Sequence, residues 1–352
     1  MKKKIELTNK NPRYSKAGLL FFLPFLFLWA FTSCENGSKP AQTDFSQSIG
    51  INDSIKLLTE SLKKDSLQYD LWKKRAALFL KKGNIDASFR DLNQALELKN
   101  DDPDLYILLA DVYFAIGQKE NSLSSVKKAI ELDPNRIEGY LKMAKFKLML
   151  EKYHSAESFA DKVLSLEPEN AQALYIKAIS NLEQKDTVRA LQYMKVAANA
   201  DSQFFAAFLN IAVLLDAQND TTAEKYYQKA LSIKPSNLIT EYSLAMFYQK
   251  HGKFDQALKT YAHITEQNPA HAQSFFNQGY IYLTEFLNYK KAVEMFQKAI
   301  EADPNYTEAV YNLGRTYEAM GDTLKAKEKY REALKLTTNY PLAIEGLNRL
   351  EE

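Results

Sequence analysis

The sequence offers very few side chains of the kinds that catalytic sites and metal centres use. Its 352 residues contain one cysteine and four histidines. A single thiol cannot form an internal disulfide or build the multi-thiolate sites that hold zinc and iron–sulfur clusters. The histidines are scattered, at His154, His251, His263 and His271. Patterns typical of nucleotide-binding loops, nucleophile elbows and zinc proteases are absent too. We therefore expect no catalytic residue, no metal and no cofactor, and we predict that the protein is not an enzyme.

The single cysteine, Cys34, indicates a different kind of chemistry. The chain before it has a basic start, in which lysine and arginine far outnumber acidic residues, and then an apolar run from Gly18 to Phe31. A membrane-spanning helix needs about 20 apolar residues, so this shorter run, interrupted by Pro24, is typical of an export signal. The small residues Thr32 and Ser33 stand directly before the thiol.

The distribution of charge argues against a nucleic-acid partner. The formal net charge of the whole chain is +2, but the excess of basic residues lies in the segment before Cys34. The rest of the chain is therefore mildly acidic. A nucleic-acid binder needs a basic patch on its folded part, and this sequence does not supply one.

Phe31-Thr32-Ser33-Cys34 resembles the lipobox of bacterial lipoproteins, although the usual leucine three residues before the cysteine is Phe31 here. The resemblance implies a signal peptide over residues 1–33 and acylation of Cys34. It also implies two or three acyl chains, which hold a protein stably on a bilayer where one chain does so only marginally. We expect a lipid-anchored protein of the bacterial cell envelope. The outer membrane is favoured, and the face of the membrane is left open. The alternative is a plain secretory signal or an uncleaved anchor.

The remainder of the chain is organised by a repeating pattern. Residues 34–50 are polar and are predicted to be a flexible tether. From Tyr69 onward, prolines and short stretches of similar sequence recur at an interval of about 34 residues, which indicates a repeat protein. Eight repeats span 69–340, with one deletion near Asn219 and one insertion near Asn288. Their first residues are Tyr69, Pro103, Ile137, Ala171, Phe205, Leu238, Ala272 and Thr307.

Small residues occupy the eighth and twentieth positions of every repeat, where only alanine, glycine or serine is found. Helices can approach to about 8 Å only where neither presents a long side chain at the crossing. Glycines between the two apolar stripes of a repeat are predicted to take the left-handed conformation that ends the first helix. These glycines are Gly83, Gly117, Gly252 and Gly321.

The pattern Tyr317…Ala326…Tyr330…Ala333 and its counterparts are similar to the tetratricopeptide repeat family over residues 69–340. The resemblance implies an all-α fold, a right-handed α-solenoid of about eight helical hairpins, because one hairpin cannot bury its apolar face alone. Residues 51–68 and 341–352 are predicted to form a capping helix at each end.

The resemblance also implies that the first helices line a concave groove that binds a protein or peptide partner. In the later repeats this lining is rich in aromatic residues, which suit a peptide because they lose little side-chain entropy. Three asparagines share the sixth position, where an amide can pair with a peptide backbone, and Arg315 could meet a carboxylate. The candidate partner-binding residues are Asn210, Tyr242, Asn277, Tyr280, Tyr311, Asn312 and Arg315. The alternative for the aromatic residues is plain packing between adjacent helices.

The sequence therefore predicts a membrane-anchored tetratricopeptide-repeat lipoprotein that acts as a non-catalytic scaffold or adaptor between proteins. The family's clamp for C-terminal carboxylates uses a lysine at the second position, and no repeat has one there. Similar lipoproteins assist pilus assembly, outer-membrane protein insertion or the control of cell-wall hydrolases, and the sequence does not choose among them. The alternatives from other classes are a binder of glycans or small envelope molecules, and a self-assembling structural subunit.

Overall fold

The computed structural model describes residues 45–351, and within them the chain forms eighteen α-helices and no strand. The predicted signal peptide, Cys34 and most of the predicted tether lie outside the described residues. Among the described helices, none combines the length and the apolar character needed to cross a membrane.

The helices are mostly of similar length and are joined by short turns. They are α1 Phe45–Lys64, α2 Tyr69–Lys81, α3 Ile85–Leu98, α4 Pro103–Ala115, α5 Lys119–Leu132, α6 Ile137–Met149, α7 Tyr153–Leu166, α8 Ala171–Glu183, α9 Thr187–Ala200, α10 Phe205–Ala217, α11 Ala223–Ile233, α12 Leu238–Lys250, α13 Phe254–Gln267, α14 Ala272–Thr284, α15 Tyr289–Ala302, α16 Thr307–Met320, α17 Thr323–Leu336 and α18 Pro341–Glu351. The first helix of each repeat begins at the residue where the sequence alignment begins that repeat.

The helices belong to two compact units, one ending at Asp186 and the other beginning at Thr187. In the N-terminal unit, the hairpins α2/α3, α4/α5 and α6/α7 stack in chain order, and α1 packs on α2. In the C-terminal unit, the hairpins α10/α11, α12/α13, α14/α15 and α16/α17 stack in the same way, and α18 packs on α17. The all-α architecture of stacked hairpins that the sequence predicts is confirmed.

Within each unit, the small residues lie where the two helices of a hairpin touch. At the eighth position, the alanines from Ala76 to Ala245 are 0–1% exposed. In the last repeat, a Cβ added to Gly314 would lie 2.8 Å from two ring carbons of Tyr330. The Tyr330 ring is itself fully buried. In the last repeat the small residue is therefore required by the close approach of the Tyr330 ring from the second helix.

The turns between paired helices use one left-handed residue. The predicted glycines have φ of +81°, +78°, +70° and +82° at Gly83, Gly117, Gly252 and Gly321, as expected. Other residues adopt positive φ at the equivalent turns, and they are Glu151, Lys185, Asn219 and Leu287. A left-handed residue costs about 1–2 kcal/mol when it is not glycine, and the surrounding hairpin packing offsets that cost.

Helix α1 differs from the prediction at its start. It begins at Phe45, inside the segment predicted as tether, and it contains Gly50. The prediction ended the tether at this glycine. A single glycine in a helix costs only about 1 kcal/mol relative to alanine, so it need not end one.

We predict that Gly314→Ala lowers the free energy of unfolding by about 1–3 kcal/mol, because the added methyl group must displace the buried Tyr330 ring. Chemical denaturation followed by far-ultraviolet circular dichroism measures the change. Gly50→Ala is the matched control, since its Cβ would meet nothing within 4 Å. The control should leave stability unchanged or raise it by up to about 1 kcal/mol. Wild-type stability in Gly314→Ala would contradict the tight crossing.

Candidate functional site

The predicted partner-binding residues all lie on first helices of the C-terminal unit. Asn210 is on α10, Tyr242 on α12, Asn277 and Tyr280 on α14, and the remaining three on α16. The beginnings of α12 and α14 are fixed by side chains that accept hydrogen bonds from the first turn. Asn237 Oδ1 accepts from the backbone N–H of Thr240 at 3.0 Å, and His271 Nδ1 accepts from that of Ser274 at 3.3 Å.

Asn277 connects two neighbouring repeats through its amide nitrogen. Nδ2 donates to the hydroxyl oxygens of Tyr242 and Tyr261, each at 3.1 Å. Tyr261 in turn donates its hydroxyl proton to Gln249 Oε1 at 3.0 Å. Since the Tyr261 proton is used there, its oxygen acts as the acceptor and Asn277 must present its nitrogen. The Asn277 carbonyl oxygen, Oδ1, then has no hydrogen-bond donor among the described residues and remains available as an acceptor.

Half-buried aromatic rings surround this asparagine. Phe276 lies with its ring centroid 5.1 Å from that of Tyr306 and 6.3 Å from that of Tyr280. Tyr242 packs against the His271 ring at 5.1 Å. We call the following residues the aromatic strip: Tyr242, Phe276, Tyr280, Tyr306, Tyr311 and Tyr340. The strip extends over α12, α14 and α16 and over the residues directly before α16 and α18.

Burial keeps the hydroxyl groups of the strip protonated. It raises the pKa of Tyr242, and the hydrogen bond from Asn277 offsets this only in part. Burial also raises the pKa of Tyr306 far above its usual range. The pKa of Tyr340 rises to about 12 from the same cause. At neutral pH these side chains are uncharged phenols that can donate as well as accept hydrogen bonds.

Arg315 lies at the end of the strip, with its Cζ atom 6.0 Å from the centroid of the Tyr311 ring. Its Nη1 donates to Asn312 Oδ1 at 2.9 Å. Among the described residues, no carboxylate lies within 4 Å of its guanidinium nitrogens. Arg315 is therefore a half-buried cation without an opposite charge in direct contact.

The three predicted asparagines have different surroundings. Asn312 is buried, and its Nδ2 donates to the Glu308 carbonyl oxygen at 2.8 Å while its Oδ1 holds Arg315. Asn210 is buried on α10 at 7% exposure. Only Asn277 is half-buried with its carbonyl oxygen unpaired in the described part of the chain. The equal spacing of the three residues therefore does not make them equivalent.

Sequence reasoning missed Tyr306 and Tyr340 as parts of the strip. Each residue stands directly before a first helix or a capping helix, at the same place in consecutive repeats. That recurrence is the signal that could have identified them. Tyr311 was identified, but it is largely buried, with its ring 5.6 Å from Tyr330 and 5.5 Å from Tyr340. Its main contacts are those of a core residue.

In the N-terminal unit, the first helices and the residues directly before them carry charged side chains that form ion pairs with one another. Lys73 Nζ lies 2.6 Å from Asp102 Oδ2, and Arg136 and Lys142 form ion pairs with Asp104 and Asp111. The Lys142–Asp111 pair joins neighbouring repeats, whereas Asp102 and Arg136 are the last residues of the repeats that contain Lys73 and Asp104. Across the described residues, no group of three or more histidine, cysteine or acidic side chains is placed to hold a metal ion.

Comparison with known families agrees with this architecture. Models described as tetratricopeptide repeat match residues 103–136, 141–203, 206–237, 242–306 and 295–328, and a model described as TPR repeat matches 77–117. The stacked hairpins and the strip define an α-helical solenoid protein. The chain is built from tetratricopeptide repeats, which the family models match between residues 77 and 328.

Curated relatives share only part of their length with this chain. Protein bimA of Emericella nidulans is 25% identical over 152 residues, which are 43% of this chain and 19% of the relative. Hsp70-Hsp90 organizing protein 1 of Glycine max is 29% identical over 103 residues, 29% of this chain and 18% of the relative. The chain thus spans about a fifth of the length of these relatives.

Solved structures show the same fold. Pseudomonas aeruginosa pilF has a TM-score of 0.52 at 18% identity, covering 59% of this chain and 94% of that one. The type IV pilus biogenesis factor PilW has a TM-score of 0.51 at 17% identity, covering 57% and 94%. At this level of identity the likeness concerns the fold alone.

We predict that His271 makes stability depend on pH. Burial lowers its pKa below the usual 6.5, and its Nδ1 must be unprotonated to accept from Ser274. Below about pH 6.5 the unfolded chain takes up a proton that the folded chain resists, so the free energy of unfolding should fall on acidification. Urea denaturation at about pH 7.5 and about pH 5.5 measures this fall. His271→Asn keeps an acceptor at the start of α14 and should show a smaller fall. An equal fall in both proteins would contradict this role for His271.

Proposed function

We propose that this chain is a non-catalytic adaptor that binds a polypeptide segment along the aromatic strip. We also propose that it works while held by lipid on Cys34 at a membrane of the bacterial cell envelope. The observation that carries the first proposal is the unpaired carbonyl oxygen of Asn277, held in the middle of the strip by two hydrogen bonds from its own amide nitrogen.

A polypeptide backbone is the partner that suits this arrangement. Every residue except proline offers an N–H group, so an acceptor such as Asn277 Oδ1 can bind a backbone whatever side chains it carries. Aromatic rings beside it bury much area while losing few rotamers, as residues that dominate protein interfaces do. The Tyr242 hydroxyl accepts from Asn277 and keeps its own proton for a carbonyl oxygen of the partner.

The comparisons support an adaptor in general terms. A relative that matches 29% of this chain has a name that describes an organizer of Hsp70 and Hsp90. Repeats of this kind present their first helices in a regular row, which suits an extended partner. The observed strip lies on such a row, on α12, α14 and α16.

We predict that Tyr280 contacts a polypeptide partner in the native envelope. Placing the photoreactive residue p-benzoylphenylalanine at Tyr280 of the full chain should yield an adduct with another polypeptide on irradiation. The matched control is the same residue at Leu324, which is 85% exposed on α17. Adding Asn277→Ala should reduce the adduct at Tyr280 by about two- to tenfold, the effect of one lost hydrogen bond.

Other adducts at Tyr280 would contradict the proposal and favour its alternatives. A glycan adduct without polypeptide would favour a carrier of envelope molecules. Adducts made solely of a second copy of this chain would favour a self-assembling subunit. Equal adducts at Tyr280 and Leu324 would mean that the strip does not select a partner.

The proposed anchor has a separate test. A fatty acid that carries an alkyne should label the wild-type chain in growing cells, and the protein should sediment with membranes. Cys34→Ser should lose both the label and the sedimentation, because the thiol that takes the lipid is gone. Ser33→Ala is the matched control, since it keeps a small residue before the cysteine and should retain both. Membrane sedimentation of Cys34→Ser would contradict a lipid anchor.

A further inference from the structure

Arg315 is a charged group that the folding of the C-terminal unit does not use in an ion pair. Among the residues that the structure describes, its guanidinium makes one hydrogen bond, to Asn312 within its own helix. Arg349, by contrast, is paired with Glu318 through two nitrogens at 3.2 and 3.1 Å. Half-burial removes part of the hydration of Arg315 without supplying a counter-charge, which is unfavourable unless a ligand provides one.

Two phenol groups of the aromatic strip belong to the surroundings of Arg315. Tyr280 on α14 and Arg315 on α16 occupy the ninth position of neighbouring repeats, and the charge of Arg315 acts on the Tyr280 hydroxyl by lowering its pKa. The Tyr340 ring packs edge-on against Tyr311, whose ring lies 6.0 Å from the Arg315 Cζ atom. The hydroxyl groups of Tyr280 and Tyr340 have no hydrogen-bond partner among the described residues. Two phenols and one guanidinium thus lie on consecutive parts of the aromatic strip.

The charge states of Tyr280, Tyr340 and Arg315 indicate the chemical class of ligand that they can bind. Burial raises the pKa of both phenols, Tyr280 and Tyr340, and the positive charge of Arg315 offsets this in part. The carboxylate of Glu308 raises the pKa of Tyr340 further, and that of Glu285 raises the pKa of Tyr280. Both phenols are therefore protonated at neutral pH, and arginine is always charged. Glu308 on α16 is exposed and, within the described residues, forms no ion pair with Arg315. The two phenol donors and the positive charge of Arg315, which has no ion-pair partner among the described residues, favour an anionic acceptor as the ligand.

We propose that Arg315, Tyr280 and Tyr340 form a site for a carboxylate of the bound polypeptide segment. This inference rests on the proposed function and adds a chemical requirement to it. A planar guanidinium matches a carboxylate through two parallel hydrogen bonds, and each phenol can donate one more. The carboxylate is either the free C-terminus of the segment or an aspartate or glutamate side chain within it. Asn312 is a positioning residue: it lies on the same helix as Arg315, and its Oδ1 accepts a hydrogen bond from the guanidinium.

Three pools of N-acetylated random peptides, each about eight residues long, test the proposal. The first pool has a free C-terminus and no acidic residue. The second is amidated and has one central glutamate, and the third is amidated with no acidic residue. The full-length protein is immobilised in detergent micelles, and the retained peptides are quantified by mass spectrometry. We expect the first or the second pool to be retained at least about tenfold more than the third. Whichever pool is retained identifies the source of the carboxylate.

Substitutions in the site distinguish the contribution of charge and hydrogen bonding to peptide retention from the contribution of ring packing. Arg315→Gln should reduce retention of the preferred pool about tenfold or more and leave the neutral pool unchanged. Its matched control is Arg331→Gln, an exposed arginine on α17, which should change neither. Tyr280→Phe and Tyr340→Phe keep the rings and should each reduce retention about two- to tenfold. Circular dichroism verifies that every variant is folded.

Two results would overturn the proposal, and they differ in what they say about the adaptor function. Equal retention of all three pools, unaffected by Arg315→Gln, would overturn the carboxylate site while supporting a peptide-binding strip. No retention of any pool would overturn both the site and the proposed function.

Discussion

The close approach of two helices at a small residue is the constraint on which the whole structure depends. In each hairpin an alanine or glycine of the first helix faces the second helix, as Gly314 faces the ring of Tyr330. This contact sets the distance and rotation of the paired helices. The same contact recurs in the stacked repeats of each unit, so equivalent positions of successive first helices form a row. A hairpin alone leaves apolar surface exposed, and stacking buries it.

The two units have the same arrangement of first helices, but these helices carry different side chains in each unit. In the N-terminal unit the row contains both signs of charge, and pairs such as Lys142 with Asp111 join one repeat to the next. In the C-terminal unit the row contains aromatic residues and one unpaired arginine, Arg315. Charged side chains that already form ion pairs with each other contribute little free energy to the binding of a ligand. The C-terminal row is therefore the surface on which a partner can supply the missing group.

The period of the sequence was sufficient to predict the helices and the left-handed glycines between them, because both depend on local spacing. It was not sufficient to predict the different surroundings of Asn277 and Asn312, which share one position. Their difference arises from neighbouring helices, where Tyr242 and Tyr261 receive hydrogen bonds from Asn277. Tyr340 was missed for a related reason, since it follows a second helix and joins the strip only through stacking.

Hydrogen–deuterium exchange of the full chain, compared between purified protein and native envelopes, tests the central claim most directly. The claim is that the row of first helices in the C-terminal unit binds a partner. Amide exchange reports local protection helix by helix. If this row binds a partner, protection in envelopes increases on α12, α14 and α16 and is unchanged on α13, α15 and α17. Increased protection confined to the second helices, or none at all, would contradict it.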